Sequence, residues 1–469
     1  MTDSIPDMAA ERQHTDPDHR AWHQELTDAL GEALITGEQT AAATTDRSGW
    51  TEPGLPDAVV RARTVADIQA TLRIANAHRV PVVTRGAATG LAGGVTAGAG
   101  SIVLDVSGLN RILEIDPAEA TARVETGVIT ADLDAAAGAH GLFYAPDPGS
   151  VSISTIGGNI ATNAGGLRGA KYGVTRDAVL GLEVVLADGR LIRTGRSTLK
   201  GVSGYDLTAL FTGSEGTLGV IVSATVRLLP IPAETATAAA YFPDVEAAAA
   251  AASAIVTAGV RPTTLEMVDG ASLAAIDELS GTDYSHRGGA FLLIQTDGYG
   301  AAIELQHAVD AFRARATRVD IAADPAEAEQ LIAARRLALP AIEARGRMLI
   351  EDIAVPRKHL AEVCRQIRAI GEKHGTEVYV VAHAGDGNLH PVFVYQGEQN
   401  LIPDNVSRAA DEVFQLAIRF GGTLTGEHGV GLLKQRWLAD ELGEDVLGLS
   451  HQVKAVFDPH GILNPGKGI

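Results

Sequence analysis

Pro146-Asp147-Pro148-Gly149-Ser150-Val151-Ser152-Ile153-Ser154-Thr155-Ile156-Gly157-Gly158-Asn159-Ile160-Ala161-Thr162-Asn163-Ala164-Gly165-Gly166 is a run of hydroxyls, amides and glycines with hardly any charge. Such a stretch can press its backbone against a large flat ligand and offer many neutral hydrogen bonds, because glycine lacks the Cβ that would hold the ligand off. A related loop lies upstream, Arg85-Gly86-Ala87-Ala88-Thr89-Gly90-Leu91-Ala92-Gly93-Gly94, after an apolar strand expected at Val80–Thr84. Its small residues free consecutive N–H groups to form an anion-cradling nest, for which a diphosphate is the natural ligand. Arg85 adds a charge and Thr89 a hydroxyl. It is no dinucleotide GxGxxG, since no helix pattern follows, and no P-loop, since no Gly-Lys-Ser/Thr closes it. Standing alone it would read equally well as a set of tight turns. A third segment, Gly213-Ser214-Glu215-Gly216-Thr217-Leu218-Gly219-Val220-Ile221, repeats the chemistry.

Working outward from these loops, strands and helices alternate. Residues 1–20 are polar and expected to fray, and Trp22, Leu26, Leu30 and Leu34 recur at i+4 as one helix from Ala21 to Leu34. Thr40 to Gly54 reads as a polar loop. Strands are expected at Ala58–Val60, Ile102–Val106 and Arg123–Thr126. Thr64 caps a helix that runs to His78, and Thr130–His140 is another helix. Asp188-Gly189 turns a hairpin between Leu182–Leu186 and Leu191–Ile192. At Leu229-Pro230-Ile231-Pro232 the character changes. Beyond it come an alanine-rich helix at Val245–Gly259, a strand at Leu292–Thr296, helices at Ala301–Ala316 and Val406–Arg419, and a strand at Val378–His383. Four parts result: an N-terminal helical extension (1–50), a first α/β or α+β domain (51–230), a second domain (231–440) and a C-terminal segment (441–469).

Composition sets the outer limits. With 469 residues the chain exceeds one compact domain at roughly 150 residues each. It is 46% hydrophobic, so real cores are available. The formal net charge of −20 argues against nucleic acid or an anionic membrane, both of which need a basic stripe. A lone cysteine, Cys364, excludes an internal disulfide and a thiolate zinc cluster, and fits a reducing compartment. No run approaches the roughly 18 apolar residues of a membrane span, and the first 25 residues lack an apolar signal core. A soluble cytoplasmic protein is the expectation.

The second domain carries a different kind of motif. His383-Ala384-Gly385-Asp386-Gly387-Asn388-Leu389-His390 sets two imidazoles seven apart, with glycines that let the chain fold back. Glu427, in Gly426-Glu427-His428-Gly429-Val430-Gly431, supplies a third donor. Two His and one Glu leave an open coordination position, the pattern of a catalytic divalent-metal site, with Asp386 and Asn388 as candidates to orient the ligands. Zinc, manganese or iron would suit the donors. Glu427 and His428 are adjacent, so both can reach one site only if this glycine-flanked segment is irregular, because strand neighbours point to opposite faces.

From about residue 50 onward, the three loops in this order resemble the FAD-linked oxidases of the vanillyl-alcohol-oxidase type. The branch is that of the D-lactate dehydrogenases, the glycolate oxidase FAD subunit and D-2-hydroxyglutarate dehydrogenase. The resemblance implies an α+β fold: a two-part FAD-binding domain, a substrate or cap domain, and a C-terminal segment that returns to the flavin. It implies that Arg85, Gly86, Ala87, Ala88, Thr89 and Gly90 bind the FAD diphosphate. Pro148, Ser150, Thr155, Gly158, Asn159 and Asn163 follow in the second loop, Gly216, Gly219 and Ile221 in the third, and Asn464 in the tail. Some relatives attach the flavin to a His in the first loop. Here Gly86, Ala87 and Ala88 stand there, so FAD is expected to be non-covalent. His383, His390 and Glu427 match metal ligands, and His428 the residue that takes the substrate proton. Arg335, in a segment where Ile332 replaces the family's Trp, matches a carboxylate clamp, and Asn388 is a further substrate contact.

The activity so implied is metal-assisted oxidation of a D-2-hydroxy monocarboxylate, D-lactate- or glycolate-like, by hydride transfer to flavin N5. In relatives acting on 2-hydroxyglutarate, a Thr and a basic residue hold the distal carboxylate; Leu339 and Ile350 occupy those places here. D-2-hydroxyglutarate dehydrogenase and a non-redox transferase of the alkyl-dihydroxyacetonephosphate synthase kind are the alternatives, and beyond the family a flavin-free metal-dependent hydrolase or a binding module. Electrons would leave to a separate acceptor: a quinone, a cytochrome or an electron-transfer flavoprotein. The resemblance leaves open a homodimer and a position peripheral to the membrane.

Overall fold

The computed structural model describes residues 17–198, 200–397 and 401–469. Residues 1–16 of the expected frayed start lie outside them. Residues 17–20 do not fray, because the first helix already begins at Pro17 and runs to Leu30. It also ends earlier than the i+4 pattern suggests. Gly31 adopts a φ of +51°, and Leu34–Ile35 leaves the helix to pair with Val60 and Val59. The polar loop at 40–54 begins inside a 3-10 turn at Gly37–Ala43.

Among the described residues the first domain holds two larger sheets and a two-stranded pairing of Leu142–Phe143 with Leu229–Pro230. In one, Ala58–Arg61, Ile102–Asp105 and Val82–Arg85 run parallel, with Leu34–Ile35 added at the edge. The helix Val65–His78 crosses between the first two in chain order, and Thr64 and Asp67 close a capping box at its start. The other sheet is antiparallel, in the order Ile112–Asp116, Thr121–Glu125, Val220–Arg227, Val179–Val185 and Leu191–Gly195. The hairpin at Asp188-Gly189 forms as expected, with Gly189 at φ +82°. The third glycine segment ends in the long central strand, so Ile221 lies in a strand and is buried.

The second domain is built on eight antiparallel strands. Seven run in the order Arg318–Ile321, Thr235–Phe242, Ala290–Asp297, Thr264–Asp269, Glu377–His383, Asn388–Tyr395 and Arg347–Ile350, and Ile353–Ala354 also pairs with Asn388–Tyr395. Helices cover both faces. Leu265, Met267, Ala382 and Leu389 face one core with the helices Val245–Thr257 and Leu360–His374. Val268, Val381 and Val392 face another with Gly270–Ser280 and Pro325–Glu343. Strands covered on both sides read as continuous apolar runs, so a carboxylate or imidazole within one is forced inward. The helix expected to reach Ala316 changes to a 3-10 turn after Phe312.

The tail returns to the first domain. Val82 donates to Ile462 O (2.7 Å) and Asn464 donates to Val82 O (2.8 Å), and the Phe457 ring meets Phe211 edge-on at 5.3 Å. Among the described residues no helix is long and apolar enough to cross a membrane.

Candidate active site

Strand register assembles the charged centre. The hairpin at residues 383–388 pairs His383 with Asn388 and Val381 with His390, while the neighbouring strand sets Glu266 opposite His383. With side chains alternating at period two, Glu266, His383 and His390 share the face of Val268, Val381 and Val392. Glu427 then reaches in from the 426–431 segment, which is neither helix nor strand. Its Oε1 lies 3.3 Å from His383 Nε2 and 3.3 Å from His390 Nε2.

The irregularity demanded by adjacent Glu427 and His428 has a definite cause. Asp352 Oδ2 accepts the N–H groups of both residues at 2.9 Å, and the Thr425 hydroxyl at 3.0 Å. Two consecutive amides aimed at one oxygen cannot lie in a strand, where they point to opposite sides. The His428 ring therefore stacks on His390 at 5.1 Å and 17°, with its Nε2 3.8 Å from Glu427 Oε1. Asp352 Oδ1 accepts from Asn388 Nδ2 at 2.7 Å. Lys434 Nζ, 3.8 Å from Oδ2, donates to the carbonyls of Asp352 and Leu424.

Charge and burial set the protonation states. Burial alone would depress the His383 pKa, but Glu266 (2.7 Å from Nδ1) and Glu427 hold it well above the usual imidazole range. Burial would likewise raise Glu427, and the His383 and His390 imidazoles hold it well below the ordinary carboxylate value. His428 moves the other way: burial, only partly offset by Asp352, takes it down to about 4. Despite its burial, Asp352 is held far below the carboxylate range by His428, Lys434 and His390.

The donors fit a divalent ion. The ligand atoms of His383, His390 and Glu427 all lie within 4.8 Å of one another. Glu266 behind His383 Nδ1 is the carboxylate partner a metal-bound imidazole ordinarily has. Arg335 donates through Nε to Glu266 Oε2 at 2.9 Å, so it braces the carboxylate behind His383. Sequence reasoning missed Glu266, Asp352 and Lys434. The available signal was a single acid in Thr264-Leu265-Glu266-Met267, within an apolar strand, and an acidic pair in Leu349-Ile350-Glu351-Asp352-Ile353-Ala354, between two short strands.

The glycine loops converge on one another. A methyl group at Gly86 would come within 2.6 Å of Thr155 Oγ1, and one at Gly94 within 3.6 Å of Glu215 Oε2. Gly213 and Glu215 donate backbone bonds to Ile160 and Ala161 in the second loop. Many expected side chains are engaged with the protein itself. Thr155 caps the short helix Ile156–Thr162, and Asn163 ends it at φ +53°. Asn159 donates to Thr130 Oγ1, and Arg85 to Thr45 O. Gly219 is small because a methyl there would press on Val184 at 2.6 Å. What these loops offer a ligand is mainly backbone. Buried Asp46 Oδ2, Thr84 Oγ1, Ser214 Oγ and Asn464 Oδ1 have no hydrogen-bond partner among the described residues, which fits a large polar cofactor.

The two sites touch. A methyl at Gly165, in the second loop, would collide with Glu427 Oε2. Beside it, Asp147 pairs with Arg168 at 3.3 Å and is raised to about 7 by burial that the Arg168 charge only partly offsets. Lys171 and Tyr172 both bond Asp297 of the second domain's sheet.

Comparison with known proteins agrees with this architecture. Residues 56–195 match the FAD binding domain family, and residues 231–468 the C-terminal domain of FAD linked oxidases. Glycolate oxidase subunit GlcD of Bacillus subtilis is 44% identical over 417 residues, covering 88% of this chain and 89% of that protein. D-lactate dehydrogenase of Anaerostipes hadrus is 34% identical over 430 residues, covering 88% and 89%. Among solved structures, p-cresol methylhydroxylase with substrate bound superposes with a TM-score of 0.79 over 97% of each chain, at 18% identity, a likeness of fold.

Proposed function

The chain belongs to the FAD-linked oxidases, and on that premise we propose that it dehydrogenates a 2-hydroxy monocarboxylate to the 2-oxo acid. It is an FAD-linked oxidoreductase of the glycolate oxidase GlcD and D-lactate dehydrogenase type. The observation that carries the finer reading is the buried His428 imidazole stacked on His390, beside a compact buried set of two His and one Glu. Glycine loops without an attachment residue would hold FAD non-covalently, and His383, His390 and Glu427 would hold zinc, manganese or iron. When bound, the ion would supply acidification of the substrate hydroxyl and FAD a two-electron hydride acceptor.

The chain's own residues supply proton handling and placement. His428, kept neutral by burial, has a lone pair for the hydroxyl proton. Asp352 fixes its backbone, and the stacking on His390 fixes its ring. Arg335 is anchored through Nε, which leaves its outer nitrogens for a carboxylate. Leu339 and Ile350 supply no charge for a second carboxylate, which favours a D-lactate- or glycolate-like acid. Reduced flavin needs a separate acceptor, since one cysteine cannot hold an iron–sulfur cluster.

The test is a panel of D- and L-2-hydroxy acids with a dye acceptor, before and after treatment with a chelator. Turnover of a short D-2-hydroxy acid that the chelator abolishes and added metal restores is the expected result. Chelator-insensitive turnover removes the metal, and a colourless protein that takes up no FAD removes the reaction.

A further inference from the structure

Glu215 stands where the flavin loops, the tail and the charged centre meet. Its N–H donates to Ala161 O of the second loop at 2.8 Å. Its carbonyl accepts from Asn464 Nδ2 at 2.8 Å, and that amide also donates to Gly94 O of the first loop at 3.0 Å. The backbone takes a left-handed φ of +51°, uncommon for a residue with a Cβ. Both carboxylate oxygens point across to the second domain. Oε1 accepts the N–H of Val430 and Oε2 that of Gly431, each at 2.8 Å.

These amides lie two and three residues beyond His428. A charged acceptor on two successive N–H groups makes a stronger anchor than neutral pairs would. The approach is close on both sides. A methyl at Gly429 would come within 3.1 Å of Glu215 Cδ, and one at Gly94 within 3.6 Å of Oε2. The segment that carries Glu427 and His428 is thus held from two directions: by Asp352 from within its own domain, and by Glu215 from the flavin side.

We propose that Glu215 is a positioning residue that couples the flavin cradle to the loop carrying His428, so that filling the cradle and aiming the imidazole are one event. This rests on the reading of the glycine loops as the FAD site and of His428 as the proton acceptor. The coupling belongs to Glu215 because its backbone bonds reach the second flavin loop and the tail, while among the described residues its side-chain hydrogen bonds go to the catalytic segment. A mere staple between domains would alter stability with or without flavin, and would leave kcat per folded, flavin-loaded enzyme unchanged.

The experiment uses Glu215→Gln, which keeps the shape and one acceptor but turns an NH2 group toward the second amide. The variant is expected to keep its FAD, judged by visible absorbance, and to hold KM near the wild-type value. Its kcat should fall on the order of 100-fold, the scale of a small misplacement of a reacting group. In parallel, hydrogen exchange at Val430 and Gly431 is followed in wild-type apoprotein before and after adding FAD. Flavin should slow it, and Glu215→Gln should remove the flavin-dependent part. Wild-type kcat in the variant, or exchange that ignores FAD in the wild type, overturns the proposal. Should the variant not fold, the wild-type exchange decides by itself. If the wild type turns over no 2-hydroxy acid yet shows the exchange response, the assigned reaction fails and the coupling stands.

Discussion

The glycine loops and the charged centre are built from opposite materials. The first is backbone: Gly86, Gly157 and Gly165 bring main chain so near its neighbours that a methyl would intrude, while Thr155, Asn159 and Asn163 are spent on the protein's own caps and contacts. The second is charge: Glu266, Asp352 and Glu427 around His383, His390 and His428, in or beside apolar strands. A backbone site gains specificity from close approach and fails when anything is added. A charge site gains it from mutual compensation and fails when anything is taken away.

Five substitutions test that contrast, in descending order of effect. His428→Ala should slow flavin reduction by substrate roughly 100- to 10,000-fold while FAD stays bound, read by stopped-flow absorbance; rapid bleaching would end the assignment. Asp352→Asn takes charge from the centre of the second site, leaves the buried Lys434 uncompensated and loosens the amides of Glu427 and His428, and urea unfolding should show a loss of roughly 3 kcal/mol. Gly165→Ala crosses the boundary, since a methyl on the backbone side strikes Glu427. Metal affinity should drop about 30-fold with FAD content kept, a cost in the overpacking range. Gly86→Ala should do the reverse, weakening FAD about tenfold and leaving metal alone; equal losses of both ligands in either glycine variant would erase the distinction.

The smallest effect concerns pH. Burial, opposed by Lys434 and reinforced by Asp352, takes the Glu351 carboxyl up to about 7. The folded state therefore holds a proton that the unfolded chain releases nearer pH 4.5, so this group's contribution to stability falls as pH rises between the two. Glu351→Gln should be more stable than wild type by roughly 1 kcal/mol at pH 8, and show no gain at pH 4. Thermal melts at the two pH values measure the difference.

The same contrast explains what could be read in advance. Glycine density announces close backbone approach, so the meeting of the three loops was legible, although Ile221 and Gly219 serve the central strand and its packing. In the charged site the pair His383 and His390 was legible because a hairpin joins them. Glu266 was not, since it reaches His383 from 117 residues away through strand register alone. Asp352 likewise acquires its role only once the 426–431 segment lies over it. Local signals fix the N-cap at Thr64 and the turn at Gly189. They could not end the first helix at Leu30, where pairing of Leu34 with Val60 overrides the i+4 pattern.

The bridge between Val82 and Leu463 sets a timetable for synthesis. Asn464 donates to Gly94 across 370 residues of intervening chain, and Ile462 and Leu463 fill the core beneath the parallel strands. A ribosome that has released the first domain has therefore not yet delivered the piece that closes it. Vectorial folding leaves the first domain without these residues while the whole second domain is translated. Shortening the protein by its last ten residues should yield a soluble second domain and a first domain that holds no colour.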